Sequence, residues 1–300
     1  MKTTKLTLII GFFMITSLVL GQDYAFKVLA NKGTNEVKTG DSWAPLNTGT
    51  SLKKGDELKL AENGYVGLVH ITGKPKEVKR AGTIKVDDLD KEIGAGGTNV
   101  INKYTDFILS SNSAESKKNR LSATGAVHRA PEDNPIKLML PENQHSGIYN
   151  NVAVISWDGS KVDGPYVVVI KNMFEDQLAK AETPETSLQI DLSDPRFSNA
   201  SAILVEVSAK SDPKLLSKQH MIKKLAPIEQ DKVKNSLNEI IGHVGEQTAL
   251  NKLILAGFYE ENGLFIDAIA AYEDAIKLAP DVSDYKDAYE EFLLRHGLKR

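Results

Sequence analysis

The sequence predicts a multidomain protein in which all-β domains are followed by an all-α end. Between Tyr24 and Asp87, glycines recur about every nine residues among short apolar runs, which is the rhythm of strands joined by tight turns. Apolar and alternating runs return between Pro135 and Ala226 and again predict strands. From Pro227 onward, apolar residues instead recur at three- and four-residue steps, which predicts helices.

The N-terminal segment, residues 1–21, has the pattern of a secretory signal peptide. Lys2 and Lys5 precede an almost wholly apolar run over residues 6–20, and Gly21 supplies a small residue before the expected cleavage point. We therefore predict that residues 1–21 are removed and that the mature chain is periplasmic or secreted. The alternative is an uncleaved membrane anchor, for which the run is shorter than the roughly 20 residues that span a bilayer.

Composition excludes several classes of chemistry. The chain contains no cysteine, so disulfides, thiol nucleophiles, cysteine metal sites and a lipid-modified cysteine are all excluded. The formal net charge is -3, and no block of basic residues indicates a nucleic-acid partner. An exported chain without disulfides must be held together by packing alone.

Residues 22–90 predict a small β-domain. Its strands are expected in the runs AFKVLA, DELKL, GYVGLVHI and GTIKVDDL. Trp43, Gly49, Gly55 and Gly64 stand at spacings that resemble the FecR-type β-domain. The resemblance implies a module of bacterial envelope sensors, which would make the protein a periplasmic signalling component that meets an outer-membrane partner.

Residues 91–131 predict a helix followed by an interdomain linker. Apolar side chains recur with helical spacing over residues 98–111, and Thr98 is the expected N-cap. Residues 112–133 are polar and contain few large apolar side chains, as is typical of a linker.

Residues 132–226 predict a second β-domain. Five runs are expected to be strands, namely PIKLMLP, NVAVISW, PYVVVIKN, TSLQIDL and SAILVEVSA, and KQHMIKKL is a weaker sixth. Trp157 ends one of these strands and Tyr166 begins the next, and this arrangement resembles an immunoglobulin-like or fibronectin-type-III-like sandwich. Alternation in SAILVEV places Ile203 and every second residue after it on the core side.

Residues 227–300 predict helices that resemble a tetratricopeptide repeat. Small and large side chains match the spacing of that repeat at Leu255, Ala256, Tyr259, Ala268, Tyr272, Ala275 and Pro280. The two helices of the repeat are expected to cross where Ala256 faces Ala268. One repeat cannot bury its apolar faces alone, so a helix starting at Pro227 and the last helix are expected to cover its two sides. The first of these covering helices has an apolar face formed by Val233, Leu237, Ile240 and Ile241.

The sequence leaves the role of this helical end open. In longer arrays the first helix of each repeat lines a ligand groove, and Leu250 and Leu253 hold the corresponding positions. These leucines either line a docking site for a partner or pack against a neighbouring helix, in which case the helices are a structural cap. Nothing in the pattern requires the helices to complete the cores of the two β-domains.

Three short motifs have residue types that carry chemistry elsewhere, and each has a simpler structural interpretation. Ser51-x-x-Lys54 with Lys38-Thr39-Gly40 has the residue types of penicillin-interacting serine enzymes, but the order is reversed, and hairpin turns are predicted instead. Residues 94–97 are rich in glycine but lack the Lys-Ser/Thr of a phosphate loop, which predicts a flexible connection. Residues 87–92 lack the glycine and glutamate of a calcium loop, so a solvated acidic turn is predicted.

The histidines are scattered along the chain, and no two are four residues apart, which is the spacing that would place two metal ligands on one helix face. Surface histidines are therefore predicted at His70, His128, His145, His220, His243 and His296. The sequence predicts no catalytic, cofactor-binding or metal-binding residue, and no cofactor.

Together these patterns predict an exported, non-enzymatic scaffold or adaptor of a bacterial cell envelope that binds protein partners. The envelope sensor implied by the FecR-type resemblance is one alternative. A cell-wall or carbohydrate-active enzyme is another, and turnover of peptidoglycan or glycans would distinguish it from the two binding roles.

Overall fold

A computed structural model describes residues 24–118, 134–142, 145–245 and 247–299. Sheets occupy the N-terminal and middle regions and helices form the C-terminal end, so the predicted order of β then α is confirmed. The predicted signal peptide and most of the predicted linker lie outside the described residues. Within the described ranges, none of the helices combines the length and the apolar character of a membrane span.

The N-terminal β-region consists of two four-stranded sheets. Their strand orders are β4-β1-β6-β7 and β3-β2-β5-β8, and all neighbours are antiparallel. Both sheets face one core, to which Phe26 and Leu68 contribute from the first sheet and Leu58 and Ile84 from the second. The strands are β1 (Phe26–Lys32), β2 (Glu36–Thr39), β3 (Ser42–Pro45), β4 (Ser51–Leu52), β5 (Glu57–Leu60), β6 (Tyr65–His70), β7 (Pro75–Val78) and β8 (Gly82–Lys85).

Two helices follow these sheets. Helix α1 (Val86–Lys91) contains most of the acidic segment, so the predicted solvated turn is wrong. The reason is that Val86 and Leu89 share one helical face and are buried in the core of the sheets. Helix α2 (Asn99–Ser111) was predicted, and the Oγ1 atom of Thr98 caps it by accepting a hydrogen bond from the Val100 backbone N–H at 3.3 Å.

The middle region contains a five-stranded sheet, in the order β10-β16-β15-β12-β13, and a three-stranded sheet, β14-β11-β9. Trp157 on β11 meets Tyr166 on β12 edge to face, with ring centroids 5.2 Å apart, so the two sheets share a core. The alternation predicted from Ile203 along β15 is confirmed. The strands are β9 (Lys137–Leu138), β10 (Gly147–Ile148), β11 (Val152–Asp158), β12 (Tyr166–Lys171), β13 (Gln177–Thr183), β14 (Ser187–Asp191), β15 (Ala202–Ala209) and β16 (His220–Lys224).

Four helices form the C-terminal end, and they include the predicted antiparallel pair. Ala256 and Ala268 are fully buried in the two helices of that pair. The small side chains therefore stand where the helices need close approach, as the tetratricopeptide-like spacing predicts. The helices are α3 (Pro227–Val244), α4 (Ala249–Glu261), α5 (Phe265–Leu278) and α6 (Ser283–Arg295).

The pair is covered by α6 on one side, as predicted, and by α2 on the other. Tyr104 of α2 meets Phe258 of α4 edge to face, with ring centroids 5.4 Å apart. At Gly257 a Cβ atom would lie 2.7 Å from the Cδ1 of Ile108, so a larger residue would force this side chain of α2 to shift. The prediction that α3 covers this side is confirmed only in part. Ile241 is 41% exposed, and the fully buried residues of α3 are Ile240 and Val244 near its C-terminus, whereas Val233 and Leu237 are only partly buried because α2 packs on the same side of the pair.

Helices α4–α6 share one apolar core with the middle β-region, contrary to the expectation that nothing requires them there. The core between the two N-terminal sheets contains no described residue of these helices, which instead pack on the other face of the β4-β1-β6-β7 sheet. One continuous apolar core joins Leu29 and Tyr65 of the N-terminal sheets to the C-terminal helices, where it includes Phe292 of α6, and extends from the helices into the middle sheets. Helix α5 packs on β10 and β11, whereas α6 packs on β1. The amphipathic spacing predicted these helices, but it did not identify the sheets as their partners.

A buried carboxylate joins α5 to the middle region. Asp267 is 1% exposed, and its Oδ2 and Oδ1 atoms accept hydrogen bonds from the backbone N–H groups of Tyr149 and Asn150, both at 2.8 Å. The side-chain Nδ2 of Asn150 also donates to the hydroxyl oxygen of Tyr259 at 2.9 Å. Burial raises the pKa of Asp267 to about 6, although the two backbone donors act in the opposite direction.

This carboxylate predicts a pH dependence of stability. The folded pKa lies above the ordinary value of 3.8, so the folded chain holds the proton more tightly than the unfolded chain does. Its contribution to the free energy of unfolding should be complete below about pH 4 and should be lost as the pH rises through about 6. Urea unfolding of the parent and Asp267→Asn should give free energies whose difference changes across this window. The control is Asp287→Asn, at an exposed position of α6, whose free energy of unfolding should differ from that of the parent by the same amount at every pH. A difference between Asp267→Asn and the parent that does not change with pH would contradict the raised pKa of Asp267.

Candidate functional site

Both groove positions of the helical end are buried, and one of them contacts the N-terminal β-region. Leu250 and Leu253 are 0% and 1% exposed. Gly67 on β6 makes room for this contact, because a Cβ atom there would lie 3.1 Å from the Cδ1 of Leu250. Leu250 therefore packs on a sheet, while α4 also contacts helix α2, so the two leucine positions do not line an open groove.

Polar contacts fix the same junction. The Oε1 atom of Glu77 on β7 accepts hydrogen bonds from the Leu250 backbone N–H at 3.1 Å and from the Tyr65 hydroxyl at 2.8 Å. The hydroxyl groups of Tyr65 and Tyr285 are 2.6 Å apart. Burial raises the pKa of both phenols, so both remain neutral hydrogen-bonding groups. A carboxylate at the first turn of α4 also complements the partial positive charge of the helix N-terminus.

The serine-enzyme motif is not assembled. Ser51 lies on β4 and Lys38 lies on β2, which belong to different sheets. The ammonium group of Lys54 lies 2.9 Å from Asp90, and this carboxylate raises the pKa of the lysine, which is the opposite of what a general base needs. Gly55 has a φ angle of 90°, so the predicted turn is confirmed there.

The glycine-rich stretch has the wrong polarity for a phosphate. The Nζ atom of Lys74 donates to the backbone carbonyls of Ile93, Gly94 and Ala95 at 3.1, 3.4 and 2.6 Å. A phosphate loop points N–H groups at its ligand, whereas these residues point carbonyl oxygens at a cation. The stretch therefore holds a lysine in place.

Carboxylates of the acidic segment form hydrogen bonds and ion pairs with neighbouring side chains. Asp90 accepts from Nε2 of His70 at 2.8 Å, and Asp88 pairs with Lys91 at 2.9 Å. His70 and His220 are 7% and 8% exposed, so the surface positions predicted for them are wrong. Among the residues that the structure describes, no group of three or more histidines and carboxylates is placed to hold a metal ion. His128 lies outside the described residues.

The β12–β13 hairpin presents two neighbouring exposed apolar side chains. At its tip Phe174 is 85% exposed and Met173 is 50% exposed. These are neighbouring residues of the types that anchor protein interfaces, because both bring large apolar area to a contact. A concavity of about 320 Å³ opens beside them, with Leu178 and Ala200 in its lining.

The hairpin tip is held rigidly by its own side chains. The Oδ1 atom of Asn172 accepts hydrogen bonds from the backbone N–H groups of Phe174 at 2.8 Å and Asp176 at 3.0 Å. Its Nδ2 atom donates to the Asp176 carboxylate at 2.9 Å. Glu175 takes a left-handed φ of 69°, and its carboxylate accepts from Lys171 at 3.0 Å. Such a turn is already ordered before any partner arrives, which lowers the entropic cost of docking.

Charges around this apolar tip are paired with one another. The guanidinium of Arg196 donates to both carboxylate oxygens of Asp194, at 2.8 and 2.9 Å, and lowers the pKa of Asp194 to about 2. Lys171 likewise neutralises Glu175. The surface therefore has an apolar centre with a polar rim, which is the usual anatomy of a protein interface.

The sequence pattern did not single out this surface. The sequence feature that could have indicated the hairpin tip is the pair Asn172 and Asp176, two turn-forming residues on either side of Met173 and Phe174. Strand β13 itself was not predicted. No protein-family model matches this chain, and comparison with curated proteins found no relative, so the case for this site rests on its geometry.

Proposed function

We propose that the protein is an exported, non-enzymatic adaptor of the bacterial cell envelope that docks a protein partner on the β12–β13 hairpin. The observation that carries this proposal is the rigid presentation of Phe174, with Met173 beside it. An aromatic side chain left 85% exposed on a pre-ordered turn stabilises nothing in the chain itself, whereas it would bury a large apolar area in a pocket of a partner.

The module types are part of this proposal. For the middle region, an immunoglobulin-like or fibronectin-type-III-like sandwich is supported by three strands facing five and by the Trp157–Tyr166 contact between them. For the N-terminal sheets, a FecR-like domain is supported by the glycine-rich spacing. For the α4–α5 pair, a tetratricopeptide-like assignment is supported by burial of Ala256 and Ala268. Such modules commonly bind proteins, which is an argument from analogy.

The helical end is the competing place for a partner. In this proposal α4 and α5 act as a structural joint, because Leu250 packs on β6 and Asp267 is bonded to the β10–β11 connection. Because one apolar core joins the helices to both β-regions, a displacement of the hairpin by a partner would be transmitted to both β-regions.

A photo-crosslinking experiment tests the docking site. A photoreactive phenylalanine analogue would replace Phe174 in one chain and Lys286, an exposed residue of α6, in another. Illumination of intact cells that export each chain should give a discrete adduct from position 174 and none from position 286. An adduct from position 286 alone would assign the partner to the helical end and contradict the proposal.

The affinity for the partner identified in this way gives the quantitative prediction. Phe174→Ala should weaken binding by about 2 kcal/mol, or roughly 30-fold, since an aromatic anchor would be lost. Ile228→Ala is the matched control, because Ile228 is a similarly exposed apolar residue, 80% exposed, on α3. Isothermal titration calorimetry would measure both variants, and equal losses would show that Phe174 has no special role.

A further inference from the structure

The outer face of the β3-β2-β5-β8 sheet carries an exposed tryptophan. Cross-strand pairing sets Lys38 opposite Trp43, and it sets Glu36 opposite both Pro45 and Lys59. Side chains two apart on a strand share a face, so all five lie on the same outer surface. Trp43 is 39% exposed, and the ammonium groups of Lys59 and Lys38 lie 5.6 and 6.0 Å from its ring centroid.

A cleft of about 670 Å³ with both polar and apolar lining residues opens at one end of this face. Glu36, Pro45 and Lys59 belong both to the cleft lining and to the outer face that carries Trp43. Thr34 and Asn47 add a hydroxyl and an amide to the lining. Both of these side chains are exposed, and neither makes a hydrogen bond to another residue of the described ranges.

The walls of the cleft are held in place by two asparagine side chains, one buried and one partly buried. Asn35 is 2% exposed; its Oδ1 accepts from the Ala61 backbone N–H at 3.0 Å and its Nδ2 donates to the Lys32 carbonyl at 2.8 Å. Asn31 donates through Nδ2 to the Leu46 carbonyl at 2.8 Å. Three separate chain segments are thus tied together, so the cleft is formed before any ligand enters.

We propose that this cleft, together with Trp43, binds a saccharide chain. A pyranose ring has an apolar C–H face, which stacks on an aromatic ring, and a rim of hydroxyls, which need donors and acceptors at fixed positions. Trp43 supplies the first feature, and Thr34, Asn47, Glu36 and Lys59 supply the second. A protein strand is the weaker occupant, because β3 is a four-residue edge that ends at Pro45, and both properties oppose strand addition.

Tryptophan fluorescence provides a direct test in the whole mature chain. The protein has two tryptophans, and Trp157 is 2% exposed in the middle region, so quenching by acrylamide reports mainly on Trp43. The probes are hexasaccharides of β-linked glucose, β-linked N-acetylglucosamine and α-linked glucose. At least one should protect the tryptophan from acrylamide in a saturable way, and Trp43→Ala should weaken binding of that sugar at least tenfold by calorimetry.

Two variants distinguish this site from the proposed docking surface. Trp43→Phe keeps an aromatic face and should retain part of the affinity, and Phe174→Ala should bind the sugar as the parent does. Unchanged melting temperatures would show that the exposed substitutions leave the fold intact. Absence of protection by all three sugars, or equal binding by Trp43→Ala and the parent, would overturn the saccharide site and leave the protein-docking proposal untouched. A photo-crosslinked protein adduct that is lost in the Trp43→Ala chain would also overturn the saccharide site, because it would assign Trp43 to a protein interface.

Discussion

Replacing Glu260 by alanine is expected to lower the free energy of unfolding by about 3–5 kcal/mol, the usual cost of removing one partner of a buried ion pair. Glu260 is 5% exposed, and its Oε1 accepts from Nη2 and Nε of Arg295 at 2.8 and 3.1 Å and from Nε2 of His296 at 2.9 Å. The fully buried hydroxyl of Tyr272 donates to Oε2 at 3.0 Å. The variant would leave a largely buried cation and a buried hydroxyl without their acceptor.

The loss should extend beyond α4 and α6. Arg295 also donates through Nη1 to the Ser111 carbonyl at 3.0 Å, which satisfies the C-terminal end of α2. Freed from Glu260, this guanidinium would be drawn toward water, and α2 would lose a contact that holds it on α4. Hydrogen exchange in α2 should therefore become faster in Glu260→Ala than in the parent.

The matched control is Glu290→Ala, which removes an exposed ion pair with Lys299 at the same end of the chain. That change should cost no more than about 1 kcal/mol, because both partners are well solvated. Urea unfolding followed by circular dichroism would measure both variants at pH 7. Similar losses for Glu260→Ala and Glu290→Ala would mean that the Glu260 cluster is solvated rather than a buried joint.

The pH dependence of Glu260 has the opposite sign to that of Asp267. Burial alone would raise the pKa of Glu260, but His296 and Arg295 outweigh it and lower the pKa below the ordinary 4.5. Its contribution to the free energy of unfolding is therefore present above about pH 4.5 and is lost as the pH falls through the lower folded value. Asp267 contributes most to the free energy of unfolding at low pH, where the contribution of Glu260 is lost.

Periodicity in the sequence predicted most of the elements, because burial of one face leaves a repeating apolar signal. Helices α2, α4, α5 and α6 were found where three- and four-residue steps placed them. Strand β13 was missed because it is an edge strand in which no side chain is fully buried. Its residues Gln177, Lys180 and Glu182 are exposed, so no apolar alternation marks it.

The hydrogen bonds between distant elements leave no repeating pattern in the sequence. Glu77 and Leu250 are 173 positions apart, and Asp267 is more than 100 positions from Tyr149. The position of a single carboxylate in a helical sequence does not indicate which distant backbone N–H groups will donate hydrogen bonds to it. The same limit applies to Phe174, since exposure of an apolar residue is a property of the tertiary structure.

The Ala268→Leu variant should lower the free energy of unfolding by about 1–3 kcal/mol, and the loss should reach both β-regions. Ala268 is fully buried in α5, which packs on β10 and β11, while α6 behind it packs on β1. Three extra carbon atoms at this position must push α5 away from α4 or from the sheets. Because one apolar core continues from the helices into the sheets, the displaced helix uncovers sheet surface as well.

Hydrogen exchange measured along the whole chain separates this expectation from independent folding of the helices. Amides of β11 and β1 should lose protection together with those of α4 and α5, since the same core holds them. Ala114→Leu makes the same change at an exposed position and should leave every region as protected as in the parent. Loss of protection confined to residues 227–299 would show that the helices are a separate cap. In that case the contacts of Leu250 with β6 and of Asp267 with the β10–β11 connection would contribute little to the stability of the sheets.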